Sequence, residues 1–195
     1  MLEKLRSATA VAHQRLEKVA GGPAIASGKF TRDEYIHFLL TALHFHSAVE
    51  QLFSPELHQE IPELERRKKS ASILKDLQLL GAPTLRPKEV LFGSRTFAEV
   101  TGLLYVSEGS MLGGKVIYKQ LQKNSEIRAY NAFHFLNLYK HDLSHKWKSF
   151  TRYLNEYPWS PQQEGEMIKA AIDGFQTYEQ LHLISDVDRT RNPPA

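Results

Sequence analysis

An all-α fold, one bundle of about seven or eight helices, is what this sequence predicts, and three observations predict it. Apolar residues recur at three- and four-residue intervals along the longer segments, helix start and stop signals bracket those segments, and no alternating run, hairpin turn, internal repeat or low-complexity stretch competes. At 195 residues and 42% hydrophobic content the chain suits one domain with room for a core and a pocket. That domain is expected over residues 1–185, with the polar tail 186–195 mobile.

In order along the chain, Leu2, Leu5, Ala8 or Thr9, Ala12, Leu16 and Val19 mark a first amphipathic helix that ends at Gly21-Gly22-Pro23. Thr31-Arg32-Asp33-Glu34 is a capping box, and it opens a broad-faced second helix through Tyr35, Phe38, Leu39, Phe45, Val49 and Phe53. A short helical piece follows Ser54-Pro55, and a further helix spans about Ser70 to Leu80, stopped by Gly81 and Pro83. Ala82 to Ser94 reads as irregular loop. A helix runs from about Thr96 to Gln122, then a looser apolar segment holds Phe133, Phe135, Leu136 and Leu138, and another helix covers Asp142 to about Asn155. Ser160-Pro161-Gln162-Gln163 combines an N-cap, a first-turn proline and a capping-box glutamine, opening a last helix to about Ile184.

Composition narrows the function. A formal charge of +3 and a pI near 9.0 suit an acidic small molecule or partner, with no nucleic acid required. The run Glu65-Arg66-Arg67-Lys68-Lys69 lacks interleaved aromatics and reads as a solvated face. Zero cysteines exclude disulfides, thiolate metal sites and cysteine nucleophiles, and fit a reducing compartment. No apolar signal core or bilayer-length uncharged run is present, so the expected location is the cytoplasm, with no membrane association.

Gly109, Gly113 and Gly114 interrupt what is otherwise one helix. Each costs about 1 kcal/mol relative to alanine in a helix interior, roughly 3 kcal/mol together. Gly109 and Gly113 lie four apart and share a face, so that face is bare backbone. Either another helix packs closely there or a flat ligand lies against it.

Among residues that could carry chemistry, His13 lies near the apolar stripe of the first helix, with Glu17 one turn along the same face. That spacing lets a carboxylate support one ring nitrogen and leave the other for a metal; it equally describes an ordinary surface pair. His141 and His145 stand four apart but lack an acidic third ligand. Glu34-x-x-His37 and Glu179-x-x-His182 have the spacing of a carboxylate-bridged di-iron site, although Glu34 doubles as a capping residue.

Three blocks taken together carry a family resemblance: Leu5-Arg6-Ser7-Ala8-Thr9-Ala10-Val11-Ala12-His13-Gln14-Arg15-Leu16-Glu17, then Gly28-Lys29-Phe30-Thr31-Arg32-Asp33-Glu34-Tyr35, then Glu108-Gly109-Ser110-Met111-Leu112-Gly113-Gly114. In this order and separation the chain resembles the heme oxygenase family, the third block being most similar to bacterial members. The resemblance implies a heme oxygenase-like helical fold in which His13 is the proximal ligand of heme iron and Glu17 its supporting partner. Gly109, Gly113 and Gly114 would form the distal helix close over the porphyrin, Arg6, Lys148 and Arg152 would hold the heme propionates, and Phe175 would sit at the heme edge. Heme is then both substrate and cofactor. Molecular oxygen and electrons from a ferredoxin or flavin reductase would open the ring at a meso carbon to give biliverdin, carbon monoxide and ferrous iron, supplying iron or a bilin-binding photoreceptor.

Three departures accompany the resemblance. Animal members carry an aspartate where this chain has Ser110, a tyrosine at the position matched by His46, and a basic residue at Ala10. Ser110 can order water but holds no charge, which leaves room for a rival: a helical protein of the same fold that binds heme or another flat ligand without degrading it.

Overall fold

The computed structural model describes residues 1–20, 30–82 and 92–191, with side chains to residue 184. Among the described residues there are eight α-helices and no strand: α1 (Leu2–Val19), α2 (Arg32–Glu50), α3 (Pro55–Glu60), α4 (Ser70–Leu79), α5 (Phe97–Leu121), α6 (Ser125–Ala129), α7 (Leu143–Glu156) and α8 (Pro161–Arg191), with 3-10 turns at Leu64–Arg67 and Lys140–Asp142. The expected stop at Gly21-Gly22-Pro23, the block residues Gly28 and Lys29 and most of the loop from Ala82 to Ser94 lie outside the described residues, as do 192–195 of the tail.

Local chemistry sets most helix starts. At α2 the Thr31 hydroxyl accepts from the Glu34 N–H while Glu34 accepts from the Thr31 N–H at 2.7 Å, and Thr96 with Glu99 repeats the arrangement at α5. Ser160 and Gln163 do the same at α8. Such reciprocal caps satisfy donors that the helix itself leaves open. Two helices borrow their caps from elsewhere in the chain. Glu50 of α2 accepts from the N–H groups of Lys69 and Ser70 at the start of α4, and Asn155 of α7 accepts from the Met1 amino group and the Leu2 N–H at the start of α1. The last helix continues past Ile184 to Arg191 because no glycine or proline stops it before Pro193.

The longest helices form the centre. α5 packs most extensively on α8, α8 also packs on α1, and α2 packs on α4, α8 and α5. Leu103, Leu104, Leu39, Phe45, Met167 and Ala171 are buried in one continuous apolar cluster; each large side chain there contributes about 1.5–3 kcal/mol. Gly102 makes the α5–α8 contact possible, since a Cβ on it would lie 2.2 Å from the Met167 carbonyl oxygen. Gly174 admits Leu103 and Val106 in the same way, at 3.1 and 3.2 Å.

One irregular segment is pinned with equal care. Asp76 of α4 is buried and accepts from the N–H groups of His134 and Phe135, both at 2.8 Å, while the Tyr35 hydroxyl donates to the Ala132 carbonyl at 2.7 Å. These bonds replace the helical ladder that residues 132–138 lack, and they hold Phe135 against the core.

The basic run 65–69 departs from its reading as a solvated face. Arg66 and Lys68 are solvated, but Arg67 and Lys69 are fully buried. The 3-10 turn and the extended residue after it send alternate side chains inward, where Glu108 of α5 receives both.

Candidate heme site

A cavity of about 730 Å³ opens between α1 and α5. From α1 it takes Arg6, Thr9, Ala10, His13, Leu16 and Glu17, a single helical face. From α5 it takes Tyr105, Val106, Gly109, Ser110, Leu112, Gly113, Gly114, Val116 and Ile117. Trp147 of α7 and Phe175 of α8 line it at the side, and Phe38, Phe135, Tyr178 and His182, all nearly buried, close it at the far end. Polar groups therefore gather towards solvent and aromatic rings towards the interior, the arrangement expected for a flat apolar ligand with an acidic edge.

The glycines decide between the two readings of their face. A Cβ added at Gly109 would meet only Trp147, at 4.0 Å, and one added at Gly113 would meet nothing within 4 Å. Among the described residues no helix backbone packs on that face; it is the cavity wall. Gly114 differs, being buried with Leu136 at 3.4 Å from an added Cβ, so it belongs partly to the core. α5 nevertheless remains one helix through all three.

His13 is half exposed on the opposing helix, with the Phe175 ring edge-on at 5.4 Å. Glu17 Oε1 lies 3.7 Å from His13 Nδ1, near enough to attract a charge but beyond hydrogen-bond distance. Arg6 pairs with Glu3 at 2.9 Å at the cavity rim. Tyr105 stands close by: burial raises its pKa, while the neighbouring Thr9 hydroxyl and the Arg6 charge act to lower it. Arg6 and Tyr105 together make a polar corner suited to carboxylates. Tyr105 was not among the residues singled out from the sequence, although it precedes Gly109 by four and so shares its face.

Lys148 and Arg152 are not brought to this cavity. Both are exposed on α7, and Arg152 lines a separate cleft with Glu60, Pro62, Tyr153 and Glu156. Trp147 is the residue through which α7 reaches the cavity; Arg152, five positions on, is turned roughly 140° away from it. Neither residue lines the cavity in this structure, and their hold on the heme propionates is an expectation that the cavity lining alone does not decide.

Behind the glycine wall lies a polar cluster that the sequence did not disclose. Glu108, next to Gly109, accepts from Lys69 Nζ at 2.8 Å and from the Tyr139 hydroxyl at 2.7 Å, and it pairs with Arg67. Burial alone would raise its carboxyl, but Lys69 and Arg67 outweigh that and hold it below the ordinary value. Ser110 donates its hydroxyl to the Ser107 carbonyl at 2.8 Å, and the Ser107 hydroxyl lies 3.0 Å from His46 Nδ1. His46 is fully buried, and burial, followed by the Lys69 charge, lowers its pKa well below normal and keeps it neutral.

The di-iron spacing does not produce a centre. Glu34 is committed to the α2 cap, and although the His37 and His182 rings approach to 5.9 Å, no group of three or more metal-ligating side chains occurs among the described residues.

A helical cavity with a histidine on one wall and bare glycine backbone on the other is of the kind that encloses a porphyrin. The chain matches the heme oxygenase family over residues 1–183, and it belongs to that family. It is 29% identical to heme oxygenase PigA of Pseudomonas aeruginosa over 182 residues, covering 92% of this chain and 89% of that protein. The structure is similar to that of the NO- and CO-bound heme oxygenase of Neisseria meningitidis, with a TM-score of 0.77 and 25% identity over 94% of this chain and 90% of that one. The fold is shared with heme oxygenase-1 of the cyanobacterium Synechocystis in complex with heme, at TM-score 0.71 and 17% identity over 97% of this chain and 93% of that one. The expected fold class is thus the observed one, and no helix among the described residues is long and apolar enough to cross a membrane.

Proposed function

We propose that the chain binds heme in this cavity and opens the macrocycle oxidatively, using molecular oxygen and an external electron donor, to biliverdin, carbon monoxide and ferrous iron. One observation carries the reading: His13 shares a cavity with a glycine face, Gly109 and Gly113, that among the described residues only the tip of Trp147 approaches.

In this reading His13 holds the iron and Glu17 supports the imidazole, close enough to tighten into a hydrogen bond. The bound heme supplies the reducible iron and the carbon skeleton that is cleaved. Arg6 and Tyr105 take the ring's carboxylates and so fix its rotation in the cavity. Gly109, Gly113 and Gly114 let α5 backbone approach the ring face. Phe175 and Trp147 pack the side of the ring, and the aromatic far end excludes water from its hydrocarbon edge. Ser110 spends its proton on the Ser107 carbonyl, which leaves its oxygen lone pairs to accept from a water molecule over the ring. Arg67 and Lys69 outnumber Glu108 behind that wall, leaving a buried positive excess that favours negative charge building up in the cavity.

The experiment mixes purified protein with hemin, records the Soret band, and adds ascorbate or a ferredoxin and reductase couple in air. A histidine-ligated Soret species that decays to a broad bilin band is expected. A Soret band that persists under reduction contradicts ring opening and leaves a heme-binding protein; absence of any Soret shift contradicts both.

A further inference from the structure

The far end of the cavity holds a buried polar atom that no described residue satisfies. Phe38, Phe135, Tyr178 and His182 form this end, and none is more than 7% exposed. The His182 ring stacks on Tyr178, with centroids 5.4 Å apart and planes 19° apart, and Phe38 and His37 lie 6.4 and 5.9 Å away. His182 Nε2 is buried with no hydrogen-bond partner among the described residues. Burial, and then the neighbouring His37, lower its pKa to about 3, so the ring is neutral at neutral pH.

A phenylalanine at this position would complete the same aromatic stack without stranding a nitrogen. Buried polar groups are almost always satisfied, and one that is not calls for a partner supplied from outside the chain. His182 lines the cavity, so the ligand can supply it. A neutral imidazole can donate one N–H to an oxygen but offers no charge to offset the burial of a carboxylate among aromatic rings. With the ring's proton on Nε2, the partner it calls for is an uncharged oxygen. Carboxylates belong at the opposite end, with Arg6 and Tyr105, which turns a tetrapyrrole's hydrocarbon edge towards His182.

We propose that His182 is a hydrogen-bond donor to an uncharged oxygen on the buried edge of a bound tetrapyrrole. This rests on the reading of the cavity as a heme site. Two sources carry that oxygen. A ring-opened product has a carbonyl on each pyrrole flanking the lost carbon, and a porphyrin can carry a formyl substituent.

The test uses the full chain with an iron(III) porphyrin bearing formyl groups in place of both vinyls, and with iron mesoporphyrin, whose ethyl groups offer no oxygen. Resonance Raman reads the formyl carbonyl stretch. It should fall in the wild-type complex relative to the same porphyrin in a solvent without donors, return to the solvent position in His182→Phe, and fall again in His182→Gln, whose amide nitrogen reaches the place of Nε2. Wild type should prefer the formyl over the ethyl porphyrin by roughly five- to tenfold more than His182→Phe does. An unshifted stretch in the wild-type complex overturns the proposal without need of a variant, and so does an equal shift in His182→Phe. Failure of both porphyrins to bind overturns the heme reading together with this one, whereas binding without the shift overturns this one alone. Given the shift, biliverdin held roughly five- to tenfold more tightly by wild type than by His182→Phe marks the product as the carrier, and equal retention marks an oxygenated porphyrin.

Discussion

The two halves of α5 use glycine for opposite purposes. In the buried half Gly102 is demanded by the protein itself, because the Met167 carbonyl of α8 occupies the space a side chain would need. In the open half Gly113 has nothing within 4 Å and Gly109 has only the tip of Trp147, so no described residue demands either. Helix propensity penalises both halves alike. Such a residue lowers helix stability and relieves no clash among the described residues; in the proposed heme-binding reading it leaves the cavity it borders open to the ligand. Glu108 stands at the boundary, tying the open half to the interior through Arg67, Lys69 and Tyr139.

That boundary is where substitution should do the most damage. Glu108→Gln removes the only charge facing Arg67 and Lys69 in these contacts and should lower stability by about 3–5 kcal/mol, read from denaturant midpoints at pH 7. The loss has a pH signature of known sign. Glu108 has a folded pKa below its unfolded value, so its contribution is complete above about pH 4.3 and disappears as pH falls through the lower folded pKa. Wild-type and Glu108→Gln stabilities should converge in that acid window; a constant gap would mean that shape, not charge, is what Glu108 provides. Gly102→Ala comes next, at about 2–3 kcal/mol of overpacking against rigid backbone. Gly113→Ala, the same change eleven residues on, should instead raise the stability of the ligand-free protein by about 1 kcal/mol. If both alanines destabilise by similar amounts, the contrast between the halves is not real.

Features set by local chemistry were legible in the sequence. The capping boxes at Thr31 and Ser160 form as spaced, and the helix boundaries they open follow within a residue or two. The residues that the resemblance singled out on α1, α5 and α8, namely Arg6, His13, Glu17, the three glycines and Phe175, all line one cavity. Less legible were features decided by what lies opposite. Arg67 and Lys69 look like their solvated neighbours Arg66 and Lys68 until Glu108, some forty residues away, is placed beside them. On α7 the sequence singles out Lys148 and Arg152 but not Trp147, the residue of that helix that lines the cavity. The glycine face was ambiguous for the same reason: spacing shows that backbone is bare, and only the neighbouring atoms show whether protein or ligand covers it.

The most direct test of the account is a hemin titration of Gly113→Leu, followed by the Soret band, alongside thermal melts of the ligand-free protein. The account predicts a variant at least as stable as wild type whose hemin affinity falls tenfold or more, about 1.4 kcal/mol. Unchanged hemin affinity in a folded Gly113→Leu protein would contradict it, because the open face of α5 would then not be the face that meets the heme.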